Sequence, residues 1–395
     1  MCVINILQNL FGVCRSFIDL RNLCTLFSAV EALTRCRKLT IASIGRHLKR
    51  DSKVKNKIKT IDRLFGNIEV QSNVTVFYQR ILRTTLGYNK NPCIIVDWSG
   101  LSHCGKFHFL RAAIPVGGRA LPIFDIPFEV QNYASPKVHK LFLNQLKSML
   151  PENCTPIIIT DSGFRNPWFK LVESLGWDYV GRIRNRTLCM RVEENQWDNI
   201  KSLYNIATRR AKYLGHFFLA KSGTVKTDLY IYKEKQKNRI RKNLAGKKIQ
   251  CSVSLKHSKR ESEPLLIATS LSRKGFKLHE IINIYKRRMQ IEESIRDLKS
   301  ERIGLSLRQN RSISLERLSV ALLIGAMTMF LLWVLGLAVK NKGLHYQYQA
   351  NTIRNRNVLS TFTIGWQALE EKIIKFTKFD INQAVKTLRS NQYAE

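Results

Sequence analysis

The apolar residues of this chain are spaced in two different ways along its length. In the first part, Val54, Ile58, Ile61 and Phe65 recur at intervals of four, three and four residues, which predicts a helix with one buried face. From about residue 91 onward, short apolar runs alternate with helical segments, and strands are predicted at 107–114, 121–130, 179–181, 224–235 and 264–269. This alternation predicts an α/β fold, in which helices pack on a mixed sheet.

The helical pattern near the start of the chain contains two short helices, of which the second is basic. Thr40 is placed to cap the first helix, and Gly66 and Asn67 are placed to end the second. Two such helices are typical of a helix-turn-helix DNA-binding element, although a solvated basic helix has the same pattern. Its candidate DNA contacts are Lys53, Lys57, Lys59 and Arg63.

Changes in the spacing of apolar residues and in local charge divide the chain into five segments. They are a helical DNA-binding domain at 1–88, the first part of the α/β core at 89–185, a β-rich basic insertion at 186–262, the second part of the core at 263–340, and a C-terminal helical region at 341–395. In the insertion, the alternation over 248–256 predicts a strand, and residues 201–260 hold 17 Lys and Arg against two acids. So dense a basic patch favours contact with a phosphate backbone, with Arg239, Arg241 and Lys242 as candidates.

Composition extends this interpretation to the whole chain. The 66 Lys and Arg residues against 29 Asp and Glu residues give a net charge of +37, which favours a nucleic acid partner over an anionic membrane. The nine cysteines form no CxxC pair, and no signal peptide is visible, so we expect reduced thiols, no zinc site and a cytoplasmic protein.

Residues 318–339 carry no charge and are long enough to span a bilayer, but we favour a buried core helix.

Two acids follow apolar runs that predict buried strands. Asp97 comes directly after residues 93–96, and Asp161 comes directly after 156–160. Either acid alone could be an ordinary turn or helix-cap residue. Together, at the ends of neighbouring strands, two carboxylates indicate a site for a hard divalent metal ion.

A third acid lies on a long helix predicted from about residue 277 to 299. Glu293 is rotated about 100° from Glu292 by the helical period, so only Glu292 shares the polar face of this helix. An exposed, salt-bridged helix would have the same pattern. The other residues on that face are Tyr285, Arg288 and Lys299.

The spacing Tyr285-x2-Arg288-x3-Glu292-x6-Lys299 resembles the Tyr–Arg–Glu–Lys signature of bacterial insertion-sequence transposases of family four. Further strings of the chain look most similar to the transposase of insertion sequence ten. They are 96–99 (Val-Asp-Trp-Ser), 161–168 (Asp-Ser-Gly-Phe-Arg-Asn-Pro-Trp), 285–299, 350–360 and the stretch 39–67. The resemblance runs from about residue 30 to about 370 and is weakest in the insertion.

This resemblance implies an RNase H-like catalytic core in which Asp97, Asp161 and Glu292 form the DDE triad and bind Mg²⁺, with Mn²⁺ as a substitute. It implies cut-and-paste transposition: cleavage at the element ends, a hairpin intermediate and strand transfer. The implied partners are the terminal inverted repeats, the target DNA and a second copy of the chain in a homodimer. The resemblance also implies that no membrane is a partner and that the protein acts in the cytoplasm, at the bacterial nucleoid.

Hairpin formation requires a base to leave the stack and to be held by an aromatic or apolar side chain. The relatives place a Trp where this chain has Leu265, so the stacking residue differs here. Met289 and Trp197 are the candidates, although Trp197 also fits a buried packing role.

Two other classes of function fit parts of the pattern. One is a different RNase H-like nuclease, such as a resolvase that cuts DNA without joining it. The other is a DNA-binding protein without activity, although both Asp residues and all four signature residues are present.

Overall fold

The computed structural model describes residues 1–101, 105–184, 187–234, 263–353 and 356–392. The helices of these ranges are α1 (Val3–Phe11), α2 (Leu20–Cys36), α3 (Ile41–Arg46), α4 (Val54–Phe65), α5 (Ile68–Ser72), α6 (Val74–Leu86), α7 (Pro136–Met149), α8 (Asn166–Ser174), α9 (Leu278–Lys286), α10 (Met289–Lys299), α11 (Leu315–Asn341), α12 (Thr361–Glu371) and α13 (Lys378–Ser390). Their strands are β1 (Cys93–Gly100), β2 (Phe107–Pro115), β3 (Ala120–Glu129), β4 (Ile157–Thr160), β5 (Asp178–Ile183), β6 (Leu188–Arg191), β7 (Asp198–Asn199), β8 (Lys212–Leu219), β9 (Val225–Tyr232) and β10 (Leu265–Thr269). The architecture is therefore mixed α/β, as the sequence predicts.

The chain forms two compact units. The first unit contains Met1–Pro156 and Arg288–Glu395, and the second contains Ile157–Arg287. The five segment boundaries drawn from the sequence stay a prediction. The predicted strand at 248–256 and the candidate contacts Arg239, Arg241 and Lys242 lie outside the described residues.

Helix α11 is the core of the first unit. Every side chain from Val320 to Val339 is buried, and α2, α6, α12, α13 and β3 pack around the helix. By length and composition, α11 is the one helix of the described residues that could cross a membrane. Its most apolar stretch is wholly buried by the rest of the protein, which supports the core-helix interpretation over the membrane alternative.

Helices α11 and α12 approach each other at two glycines. A Cβ atom on Gly336 would lie 1.9 Å from the carbonyl oxygen of Thr361, and one on Gly365 would lie 1.9 Å from that of Leu332. Real Cβ atoms do not come this close to backbone oxygens. The two helices can therefore pack at this separation only because neither position carries a side chain.

Strands β1, β2 and β3 form an antiparallel meander in the first unit. Most side chains of β2 and β3 are apolar and buried, and α11 and α6 pack against β3. A bulge places Ile123 as an extra residue opposite the step from Ala112 to Ala113. The strands agree with those predicted from residues 107–114 and 121–130.

The position predicted for Asp97, one step beyond its strand, is wrong. Strand β1 continues to Gly100, and Asp97 is paired with Arg111 of β2 in the middle of the ladder. The strand continues because β1 and β2 remain paired as far as the Gly100–His108 pair, and the Leu101 amide then donates to the Phe107 carbonyl at 2.8 Å. Polar residues at alternate positions of an antiparallel strand do not end it.

The second unit is a sheet of seven described strands. Strand β4 pairs in parallel with β5, and antiparallel pairs then follow in the order β5, β10, β9, β8, β6 and β7. Asp161 follows β4 directly, as the sequence predicts. The strands predicted at 179–181, 224–235 and 264–269 are also present.

The single helix predicted from residue 277 to 299 is instead two helices. Helix α9 ends at Lys286, and α10 begins at Met289. At the break, backbone bonds tighten from the fourth to the third preceding residue: the Arg287 amide donates to Ile284 at 3.2 Å and the Ile291 amide to Arg288 at 3.2 Å. The face that the sequence assigned to one helix therefore places Tyr285 on α9, and Glu292 and Lys299 on α10.

Helices α3 and α4 lie where the sequence predicts the two short N-terminal helices. The Thr40 hydroxyl accepts a hydrogen bond from the Ser43 amide at 3.2 Å, and Gly66 follows the last residue of α4. A Cβ atom on Gly45 would lie 2.6 Å from Cα of Ile58. Glycine at this position therefore allows α3 and α4 to pack closely.

Candidate active site

Asp97 lies on the face of β1 that α10 covers. Its Oδ1 accepts a hydrogen bond from the Trp98 amide at 2.9 Å, and its side chain is half-buried. Helix α10 packs across β1, β2 and β3. The first unit therefore places this acid and the C-terminal half of the signature on one side of the meander.

The next residue, Trp98, anchors the same part of β1 on the opposite face. Its indole N–H donates to Nε2 of His139 at 3.3 Å, and its ring packs against Phe128 and Tyr133. Burial lowers the pKa of His139 to about 4, so this imidazole is neutral and can accept the bond. These contacts hold the strand in place directly beside Asp97.

Lys299, the last residue of α10, reaches the same face. Its Nζ donates to Oγ of Ser99 at 2.5 Å and lies 5.4 Å from the centre of the Phe109 ring. Burial above all, together with the charges of Arg308 and Arg111, lowers the pKa of Lys299 to about 8, although Asp97 acts in the opposite direction. Asp97 and Lys299 are thus brought within electrostatic reach of each other.

Glu292 and Glu293 have different partners, as their helical phase predicts. Oε1 of Glu292 is 2.7 Å from Nη1 of Arg288, four residues earlier. Glu293 instead pairs with Arg296 and with Arg119, at 3.6 Å from the latter. Only Glu292 therefore shares an ion pair with a signature residue.

The second unit holds the remaining candidates. Oδ1 of Asp161 accepts a hydrogen bond from the Gly163 amide at 2.8 Å, which closes a tight turn after β4. Tyr285 is buried on α9, where it partly offsets the lowering of the Arg182 pKa by burial. Trp197 is half-buried in the loop before β7.

The chemistry of the three predicted acids suits a hard divalent cation, because carboxylate oxygens are its preferred ligands. Nevertheless, within the described ranges no three His, Cys, Asp or Glu side chains are grouped closely enough to hold a metal ion. Asp97 and Asp161 accept bonds from neighbouring amides, and Glu292 is paired with Arg288. The three carboxylates are chemically suited to a metal ion. To bind it, they would have to exchange these local hydrogen bonds and this ion pair for metal coordination.

Residues 88–331, more than half of the chain, match the model of the transposase DDE domain. The chain belongs to this transposase family. The matched region includes Asp97, Asp161, Glu292 and Lys299. The chain matches no curated protein and no solved structure. Transposases of this family act on DNA and generally use divalent metal ions.

A transposase must present basic residues to DNA, and α4 has such a surface. Lys53, Lys59 and Arg63 are exposed and Lys57 is half-buried, while Ile61, Leu64 and Phe65 face the core.

Beside the start of α3 lies an open concavity of about 430 Å³. It is lined by Thr40, Ile41, Ala42, residues 309–313 and Arg317.

Sequence reasoning missed four residues around Asp97 and Lys299. They are Ser99, Arg111, Asp125 and Arg308. One signal was available: Arg111 interrupts the apolar run from Phe107 to Ile114, and a charge inside a buried strand requires a partner. Its partner could not be read from the sequence, because the pairing register of β2 and β3 depends on a bulge.

Proposed function

We propose that this transposase cuts the ends of an insertion sequence and joins them to target DNA by a cut-and-paste mechanism. The observation that carries this proposal is the placement of Lys299 on the face of Asp97, through its hydrogen bond to Ser99, inside the region that matches the transposase domain. The spacing of Tyr285, Arg288, Glu292 and Lys299 supports the finer assignment to insertion-sequence family four, near insertion sequence ten. An RNase H-like core, a homodimer and binding of terminal inverted repeats belong to the same proposal.

Asp97, Asp161 and Glu292 would hold the divalent metal, Mg²⁺ or Mn²⁺. When bound, such ions activate a water or 3′-hydroxyl and stabilise the leaving oxygen of an in-line displacement. Glu292 is half-exposed and held by a single described ion pair, so its carboxylate can exchange Arg288 for a metal. Arg288 would then bind a DNA phosphate.

Lys299 would hold a second phosphate next to Asp97. Its ammonium is fixed by Ser99 and by the ring of Phe109, so little side-chain entropy remains to be lost when a phosphate binds. A hairpin step would further need a group that stacks on an unpaired base. Met289 is 46% exposed beside Arg288, whose Nη2 lies 3.0 Å from its Sδ, and this exposure supports Met289 in the role, with Trp197 as the alternative.

We expect Glu292→Gln to lower metal-dependent nicking at the element ends at least about a hundredfold, because it removes a metal ligand from the transition state. The matched control is Glu293→Gln, one residue along the same helix. It removes the ion pairs with Arg119 and Arg296 and should reduce thermal stability slightly, with nicking within a few-fold of wild type. Equal reductions of nicking in the two variants would contradict the assignment.

Strand joining separates a transposase from a nuclease that only cuts. With precut 3′ ends and a supercoiled target, the wild-type protein should produce joined products. Glu292→Gln should not produce them. Cleavage without any joining would favour a resolvase-like enzyme.

We expect α4 to contribute to DNA affinity through its charges. The triple variant Lys53→Gln, Lys59→Gln, Arg63→Gln should weaken binding to the element ends. The slope of the logarithm of the association constant against the logarithm of the salt concentration should become shallower by about one for each phosphate that α4 no longer neutralises. The matched control is Lys386→Gln, an exposed lysine on α13. An unchanged slope in the triple variant would make α4 a solvated basic helix.

A further inference from the structure

A buried ion pair lies in the meander beside Asp97. Arg111 on β2 donates from Nε and Nη2 to the two carboxylate oxygens of Asp125 on β3, both at 2.7 Å. Both side chains are fully buried. The Tyr78 hydroxyl of α6 donates to Oδ2 of the same carboxylate at 3.2 Å. Side chains from two elements of the first unit, β2 and α6, thus converge on this acid of β3.

Fold stability is a weak explanation for this pair. Removing two charges from water is costly, and well-packed apolar side chains of similar volume often stabilise a core at least as well. On the same face, the ring of buried Phe109 lies against the guanidinium, with its centre 5.2 Å from Cζ of Arg111. Moreover, Nη1 of Arg111 is buried and has no hydrogen-bond partner among the described residues. A charge kept under these conditions points to another use.

The strand register shows where that charge is directed. Asp97 is directly opposite Arg111, and Arg111 is directly opposite Asp125. Side chains of directly paired residues project from the same face of a sheet, about 5 Å apart at Cβ. The three residues therefore form one row across β1, β2 and β3, with alternating negative, positive and negative charge.

Lys299 lies at the Asp97 end of this row. Its ammonium is bonded to Ser99, two residues along β1 and on the same face as Asp97. Arg111 lowers the pKa of Lys299, because its guanidinium charge repels the ammonium. The buried pair and the proposed catalytic face are therefore electrostatically connected.

We propose that the Arg111–Asp125 pair, supported by Tyr78, positions Asp97 for catalysis. It fixes a positive charge and a rigid cross-strand neighbour next to the Asp97 carboxylate, while Asp125 holds the guanidinium in its plane. Arg111 and Asp125 are positioning residues in this scheme, because they act through Asp97 and do not touch DNA. The inference rests on the proposed function and extends it to the residues behind the acid.

The test replaces the pair without leaving a lone buried charge. Arg111→Met with Asp125→Leu gives an apolar pair, and Arg111→Asp with Asp125→Arg reverses its polarity. We expect the apolar variant to remain folded, with a loss of thermal stability limited to the Tyr78 hydroxyl that loses its partner, and to keep its binding to element ends. It should nick at least about tenfold more slowly and need a different concentration of Mg²⁺ or Mn²⁺ for half-maximal rate. The reversed variant should lose more activity, because it places a carboxylate directly opposite Asp97.

Wild-type nicking in the folded apolar variant would overturn the inference. If that variant does not fold, Tyr78→Phe decides, because it removes one hydrogen bond to Asp125 and leaves the ion pair in place. A several-fold slower rate at unchanged end binding supports the inference, and an unchanged rate overturns it. Wild-type protein and Asp97→Asn are measured in parallel. A wild-type protein that binds ends but never cuts would refute the proposed function itself, and the inference with it.

Discussion

Asp97→Asn is expected to abolish metal-dependent nicking at the element ends while binding to those ends remains. The expected loss is at least about a thousandfold, because a metal ligand contributes several kcal/mol to the transition state and each ~1.4 kcal/mol is a factor of ten in rate. Folding should be unaffected, since the Oδ1 of Asn can still accept the hydrogen bond from the Trp98 amide. Gel-shift binding and a nicking assay in Mg²⁺, performed on the same preparation, measure the two effects separately.

The matched control for this substitution is Asp51→Asn, which changes an exposed acid between α3 and α4. It should nick at the wild-type rate and bind ends slightly more tightly, because it removes a negative charge near the basic helix. Undiminished nicking by Asp97→Asn would remove Asp97 from the active site. Loss of end binding together with nicking would instead indicate a folding or DNA-binding role.

Gly365→Ala and Gly336→Ala are expected to destabilise the first unit by about 3 kcal/mol or more each. The added Cβ atom would lie 1.9 Å from a backbone oxygen of the partner helix, so α11 and α12 would have to separate. Separation would disrupt packing along the most buried helix of the described chain. Thermal or denaturant unfolding of the purified variants measures the effect, and poor soluble expression is its expected companion.

Gly12→Ala is the matched control, because nothing lies within 4 Å of the added atom and the backbone there has φ −58°. Its effect should be small and stabilising, within about 1 kcal/mol, since Ala restricts the unfolded chain. A melting temperature for Gly365→Ala equal to that of wild type would show that the two helices do not meet as described.

Local patterns predicted most of the secondary structure correctly. The helical stripe of α4, the cap at Thr40 and the strands β2 to β5 are confirmed, because short-range hydrogen bonds and side-chain periodicity decide them. Two predictions that depended on continuity were wrong. Strand β1 passes through Asp97, and the signature helix breaks before Met289.

For the candidate site, the phase of Glu292 relative to Glu293 could be predicted, because both lie within one uninterrupted helix. The catalytic roles of Asp97, Asp161 and Glu292 stay predictions that the experiments above address. The residues behind Asp97 could not be predicted. The partners Lys299 and Ser99 are 200 residues apart in sequence, and Tyr78 and Asp125 are 47 apart.

The sequence by itself determined the element types, the basic character and the candidate acids. These properties depend on neighbours a few residues apart or on composition alone. The tertiary structure decided that the uncharged helix α11 is buried by protein, that Arg111 pairs with Asp125, and that Lys299 reaches the face of Asp97. The physical reason is that burial and ion pairing depend on which distant segments meet, and that depends on strand register and helix packing across the whole unit.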